Sequence, residues 1–140
     1  MAEEISLSRI DFGSDERFRS LRRSLGVEAF GLNQLTLQPG QRGRIHRHRR
    51  QEEVYLVLSG TLTLRVEDQP HVLSAGELAR VPPELRRQLE NRGRTTCVVV
   101  AIGAAGEHLG RDGEAFATWN DETGRAPQEM PLPHDLPASD

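Results

Sequence analysis

The chain has 140 residues, one cysteine and a formal net charge of −3, a length that suits one domain, since domains cluster at about 100 to 200 residues. Lysine is absent, which excludes lysine Schiff-base chemistry and with it pyridoxal phosphate attachment. Cys97 has no partner for an intrachain disulfide, and no apolar run approaches the roughly 18 residues of a membrane span. The first residues, MAEEISLSRIDFG, lack the basic start and apolar core of a signal peptide, so the cytoplasm is the expected setting.

In chain order, residues 1–29 read as an N-terminal extension with a first strand and a short helix over Asp15–Ser24, Ser14 as its N-cap and Arg17 in its first turn. Residues 30–105 read as short strands separated by turn signals every 8 to 12 residues or so, an all-β barrel or sandwich. Leu32–Leu37 alternates and stops at Pro39-Gly40. Glu53–Leu58 and Thr61–Glu67 flank Ser59-Gly60, which has the look of a two-residue hairpin turn, so these two strands are expected to pair. Further strands are expected near His71–Leu73, Glu77–Val81, Arg86–Glu90 and Thr95–Ile102. Val54–Leu58 and Cys97–Ile102 are apolar on both faces, which calls for a second sheet or a second subunit; a homodimer satisfies this. Cys97 lies in such a run and is expected to be a small buried hydrophobe rather than a catalytic thiolate. Residues 106–140 read as an acidic, partly mobile tail, with Ala126–Asp140 its loosest part and Phe116 and Trp119 as aromatic anchors for a lid, a subunit contact or the tail itself.

Chemistry concentrates in GQRGRIHRHRRQEEVYLVLSG, Gly40–Gly60. Residues two apart on a strand share a face, so His46 and His48 project together. A turn through Arg49–Glu52 brings Glu53 to the same interior, giving the two imidazoles and one carboxylate used by metal sites with open positions. Residue types alone leave surface polarity as a competing explanation. The five arginines of Arg42–Arg50 form a basic cluster, but no helix-turn-helix pattern, zinc-finger spacing or aromatic series accompanies it, so nucleic-acid binding ranks low. His71, His108 and His134 fall in hairpin, loop or tail and are expected to be exposed. No GxSxG elbow, phosphate-cradling glycine loop or CxxC pair is present.

Gly40, five residues, His46, one residue, His48, four residues, Glu53, six residues, Gly60 resembles the first motif of the cupin superfamily at every anchoring position. Gly76, five residues, Pro82 and the later Asn91 resemble the second. The resemblance spans roughly Leu32–Ile102 and implies a small single-domain cupin: a double-stranded β-helix of the jelly-roll type, usually dimeric, with a pocket at one end lined by the HxH strand. It implies a divalent metal such as Fe, Mn, Ni or Zn on His46, His48 and Glu53, and, if the protein is an enzyme, an oxygenase, isomerase or hydrolase of a small molecule.

The second motif departs from the family where Glu84 replaces a glycine and Arg87 replaces the last metal-binding histidine. Arg87 and Leu89 share one strand face, expected to point inward, while Arg86, Gln88 and Glu90 share the other, expected to be solvated. An arginine about 6 Å from a divalent ion costs roughly 5 kcal/mol at an effective dielectric near 20, against on the order of 10 kcal/mol that protein ligands supply to zinc. Two functional readings follow. In one, the metal binds and Arg87 clamps an anionic substrate, with Tyr55 on the face of Glu53 lining the pocket. In the other, no metal binds, Arg87 pairs with Glu53, and the barrel binds or senses a small molecule. A buried polar network without a ligand is the third possibility.

Overall fold

The structure is a computed structural model that describes residues 4–105 and 112–137; His108 lies outside them. Among the described residues ten strands form two antiparallel five-stranded sheets. β1 (Phe18–Ser20), β2 (Gly31–Leu37), β4 (Glu52–Ser59), β7 (Leu78–Val81) and β9 (Cys97–Ala104) make the first, in the order β1-β2-β9-β4-β7. β3 (Ile45–His48), β5 (Thr61–Val66), β6 (Gln69–Ser74), β8 (Arg87–Glu90) and β10 (Gly113–Phe116) make the second, in the order β10-β3-β8-β5-β6. From β2 to β10 the chain passes from one sheet to the other at every step except β5 to β6, which is the rolled-up Greek-key path of a jelly roll. Among the described residues no helix is long and apolar enough to cross a membrane.

Alternation explains the core. Leu37, Tyr55, Val57, Leu62, Leu64, Val81, Leu89, Cys97, Val99 and Ala101 turn into the space between the sheets and are almost wholly buried. Burial also pushes the Cys97 thiol up to about 11, so it is a protonated hydrophobe at neutral pH. The second apolar face of β4 remains half covered, where Val54 and Leu56 meet Ile102 and Leu78 across β9 and β7, and those two are 37% and 63% exposed.

Three local expectations are corrected. β4 and β5 do not pair: Ser59-Gly60 is a corner between sheets, not a hairpin turn. Gly60 has φ +75°, and a Cβ there would collide with the Thr96 carbonyl and lie 2.9 Å from Cys97 Cα, so the corner needs glycine for space as well as for backbone angle. The true hairpin is β5–β6, where Val66 faces Gln69 across Glu67 and Asp68, both at positive φ; its turn carries none of the glycine that usually marks such a geometry. The helix is one short turn, α1 (Leu21–Leu25), capped by Ser20 and closed by Gly26 at φ +75°. Residues around Arg17–Ser20 are drawn into β1 by pairing with β2, and Ser14 Oγ instead accepts the Glu16 amide at 3.1 Å.

The third correction concerns β8. Gln88 and Glu90 are 3% and 1% exposed, not solvated. Glu90 is surrounded by Arg65 and Arg92, each 2.9 Å from its Oε1, and Gln88 donates to the Gly43 carbonyl at 2.9 Å. The outer face is covered because β10 adds a strand from beyond residue 105 alongside β3 and because residues 126–137 run along the same side. That strap is held where Arg44 Nε donates to Met130 O at 2.6 Å, Arg42 Nε to His134 O at 2.8 Å and the Leu136 amide to Gly40 O at 2.7 Å. Phe116 is buried against the guanidinium of Arg86, 3.6 Å from its ring centre, and the Trp119 carbonyl accepts from Arg86 at 3.0 Å.

Candidate metal centre

β3 is held on both sides, by β10 and by β8, and its alternation sends Arg44, His46 and His48 to one side of the chain. His46 faces Arg87 directly across the β3–β8 pair. Glu53 comes from β4 in the opposite sheet and meets them across the interior. The β3–β4 connection that makes this possible is cinched by Asp112, whose Oδ2 accepts the Arg50 and Gln51 amides at 3.0 and 2.8 Å. Burial opposes the Asp112 charge, but those amides, with a smaller contribution from nearby His48, outweigh it and hold its pKa below the ordinary aspartate value.

Four side chains converge on one oxygen, Glu53 Oε1: His46 Nε2 at 3.5 Å, His48 Nε2 at 3.1 Å, Arg87 Nη1 at 3.0 Å and the Tyr55 hydroxyl at 2.5 Å. Burial works against ionising Glu53, yet the nearness of the two imidazoles, by contact and by charge, prevails and holds the carboxyl well below its usual range. Burial, reinforced by the Glu53 charge, pushes the Tyr55 phenol well above its ordinary value, so it is a donor at all physiological pH. His46 Nδ1 lies 3.1 Å from the Arg44 carbonyl, which can only accept, so Nδ1 carries a proton. Among the described residues neither buried ring nitrogen of His48 makes a well-directed hydrogen bond: Nε2 has only the 3.1 Å approach to Glu53, and Nδ1 stands 3.9 Å from Asp112 Oδ2.

This donor set fits a divalent metal. The ligand atoms of His46, His48 and Glu53 all lie within 4.8 Å of one another, and donors sharing one ion at about 2.1 Å stand about 3.4 Å apart in a tetrahedral shell. Two Nε2 atoms facing one carboxylate oxygen, with a carbonyl and a carboxylate behind the two rings, are the surroundings that imidazole ligands have. Arg87 opposes the ion electrostatically. Its side chain is 0% exposed, and its Nη2 donates to the Pro82 and Pro83 carbonyls at 2.5 and 3.3 Å while Nη1 holds Glu53. Both Nη groups are thus spent on protein groups, the buried Nε has no hydrogen-bond partner among the described residues, and Arg87 does not line the cavity.

That cavity, of about 310 Å³, opens above His46, His48, Glu53 and Tyr55. Its lining is largely apolar (Leu35, Leu37, Leu89, Ala101), with the exposed Phe18 and the half-buried Arg17, Arg44 and Asn33 at its mouth and Pro127 and Leu132 of the strap on one side. His71 and His134 are exposed and do not line it. The sequence reading brought together His46, His48, Glu53, Tyr55 and Arg87, but missed Arg44 and Arg17. For Arg44 the signal was available, since it shares the phase of His46 and His48; Arg17 reaches the mouth through β1, which no local pattern announced.

A ten-stranded double sheet with an HxH strand and an inward glutamate around a small internal cavity defines a metal-capable β-barrel class. The family described as cupin domain matches residues 33–103, and the chain belongs to the cupin family. A cupin protein from Bacteroides fragilis has a TM-score of 0.65 at 19% identity, covering 74% of this chain and 86% of that one. A sugar phosphate isomerase of the cupin superfamily from Silicibacter pomeroyi has a TM-score of 0.64 at 23% identity, covering 72% and 65%. In sequence, the mannose-1-phosphate guanylyltransferase RfbM of Salmonella typhimurium is 32% identical over 78 residues, covering 56% of this chain but 16% of that protein. The chain therefore spans about a sixth of the length of that relative.

Proposed function

We propose that this cupin holds one divalent ion, of Fe, Mn, Ni or Zn, on His46, His48 and Glu53, and that it binds or acts on a small anionic molecule in the cavity above them. The observation that carries this reading is the convergence of two Nε2 atoms on Glu53 Oε1 at 3.5 and 3.1 Å, with both His48 nitrogens buried and, among the described residues, otherwise unsatisfied. A bound ion would supply Lewis-acid polarisation of a substrate oxygen. Around it, the Tyr55 hydroxyl and Arg87 Nη1 fix the rotamer of Glu53, Asp112 steadies His48, and the strap limits access of water. The likeness to a sugar phosphate isomerase and to a mannose-1-phosphate guanylyltransferase supports an anionic small molecule as ligand; isomerisation, oxygenation and hydrolysis all remain compatible with a Lewis-acid centre of this kind. We further propose a cytoplasmic homodimer, on the support of the half-covered apolar face of Val54, Leu56, Leu78 and Ile102.

A second reading is favoured by one contact, the 3.0 Å Arg87–Glu53 ion pair, which is what a metal-free binding module would use to keep Glu53 charged. Calorimetric titration of chelator-treated protein with iron(II), manganese, nickel and zinc salts separates the two. The metal reading expects one site per chain for at least one of them, weakened at least tenfold in His46→Ala. Absence of binding by all four would leave the metal-free module.

A further inference from the structure

The cavity mouth has a charge balance that narrows the ligand. Arg44 spends only Nε on the strap, at Met130 O, and among the described residues neither of its Nη groups has a hydrogen-bond or ion-pair partner. Arg17, its neighbour at the mouth, is neutralised by Asp135, 3.5 Å away. With Arg17 and Arg44 positive and Asp135 negative, the rim carries one uncompensated positive charge, presented as a planar fork of donors. Such a fork matches a carboxylate in two parallel hydrogen bonds. The inner lining beside the His46–His48–Glu53 centre is largely Leu35, Leu37, Leu89 and Ala101, which offer a sugar's hydroxyls no partners and would penalise their burial. Arg87, fully buried and committed to Glu53 and the Pro82 and Pro83 carbonyls, is not available as an anion clamp.

We propose that the cavity takes a small carboxylic acid with an apolar body, its carboxylate held by the Nη groups of Arg44 at the mouth and its other end reaching the His46–His48–Glu53 centre. This deepens the anionic-ligand reading above and rests on it for the direction in which the ligand lies. Arg44 is then the specificity-determining residue: its backbone carbonyl accepts from His46 Nδ1 at 3.1 Å while its side chain selects the ligand's head group. The strap, tied to Arg44 at Met130 and packed on the cavity through Leu132, lies over the bound carboxylate.

The test is calorimetry on the full chain with four probes: phenylacetate, octanoate, the uncharged phenylacetamide and mannose 6-phosphate. The proposal expects at least one of the two carboxylates to bind, phenylacetamide and mannose 6-phosphate to bind about tenfold more weakly or worse, and Arg44→Gln to weaken carboxylate binding by about tenfold or more. Arg44→Lys, which keeps the charge and loses the fork, should recover part of that loss. Arg42→Gln is the control, because Arg42 ties the same strap at His134 yet does not line the cavity; it should bind as the parent does. Failure of both carboxylates to bind, equal binding of phenylacetamide, tighter binding of mannose 6-phosphate, or an unchanged Arg44→Gln overturns the proposal. Metal content measured on the same samples keeps the two readings apart: Arg44-dependent carboxylate binding without metal removes the metal centre alone, whereas retained metal without carboxylate binding removes this inference alone.

Discussion

Replacing Glu53 with glutamine is the sharpest perturbation of the site, because the shape is kept and one charge is lost. In the parent, Arg87 is 0% exposed and its one carboxylate partner among the described residues is Glu53, at 3.0 Å. Taking the charge centres as about 4 Å apart at an effective dielectric of ~20 gives about 4 kcal/mol of attraction. Removing one member of a buried pair costs about 3 to 5 kcal/mol, since the other charge stays buried. The Pro82 and Pro83 carbonyls remain for Nη2, and the Tyr55 hydroxyl can donate to the amide oxygen, so a loss of about 3 kcal/mol is expected. The assay is urea unfolding of chelator-treated Glu53→Gln and parent protein at one concentration near pH 7. The pH dependence has a definite sign. Glu53 is held well below its unfolded value of 4.5, so its stabilisation is fully present above that value and is lost as pH falls through the folded value. The parent and Glu53→Gln curves should therefore converge in strong acid. A difference below about 1 kcal/mol at pH 7, as for an exposed pair, would refute the account of the Arg87–Glu53 contact.

Three further outcomes are expected. Arg87→His removes the opposing charge next to the donor set and adds a fourth ligand, a third imidazole, from β8, so metal affinity measured by chelator competition should rise at least tenfold; unchanged affinity would show that residue 87 does not face the centre. Gly60→Ala, with φ +75° and a Cβ driven into the Thr96 carbonyl, should cost about 3 kcal/mol or more by urea unfolding, whereas a loss of only about 1 kcal/mol, what the left-handed backbone alone costs an L-residue, would contradict the corner geometry. Leu78→Glu combined with Ile102→Glu should convert a dimer to a monomer in light scattering, and a parent already monomeric at high concentration would remove the homodimer proposal.

The centre was legible in the sequence because its constraints are local. His46 and His48 share a strand face by alternation, and Glu53 follows after one turn, so spacing carries the geometry. Strand positions were legible for the same reason, from alternation and turn residues. Pairing was not. Ser59-Gly60 and Glu67-Asp68 show why: the first has hairpin composition but serves a corner whose need for glycine arises from Thr96 and Cys97, some 36 residues downstream; the second makes a hairpin with residues that do not advertise positive φ. The burial of Gln88 and Glu90 was likewise hidden, because what covers them comes from β10, the strap and the arginines of other strands. The inward direction of Arg87 follows from strand phase, but not that the Pro82 and Pro83 carbonyls take its Nη2.

Elemental analysis of protein purified without added metal tests the central claim most directly. The account predicts close to one divalent ion per chain, lost in His46→Ala and in His48→Ala while both still fold. Protein that is fully folded yet carries no metal, before and after incubation with iron, manganese, nickel and zinc salts, would contradict it.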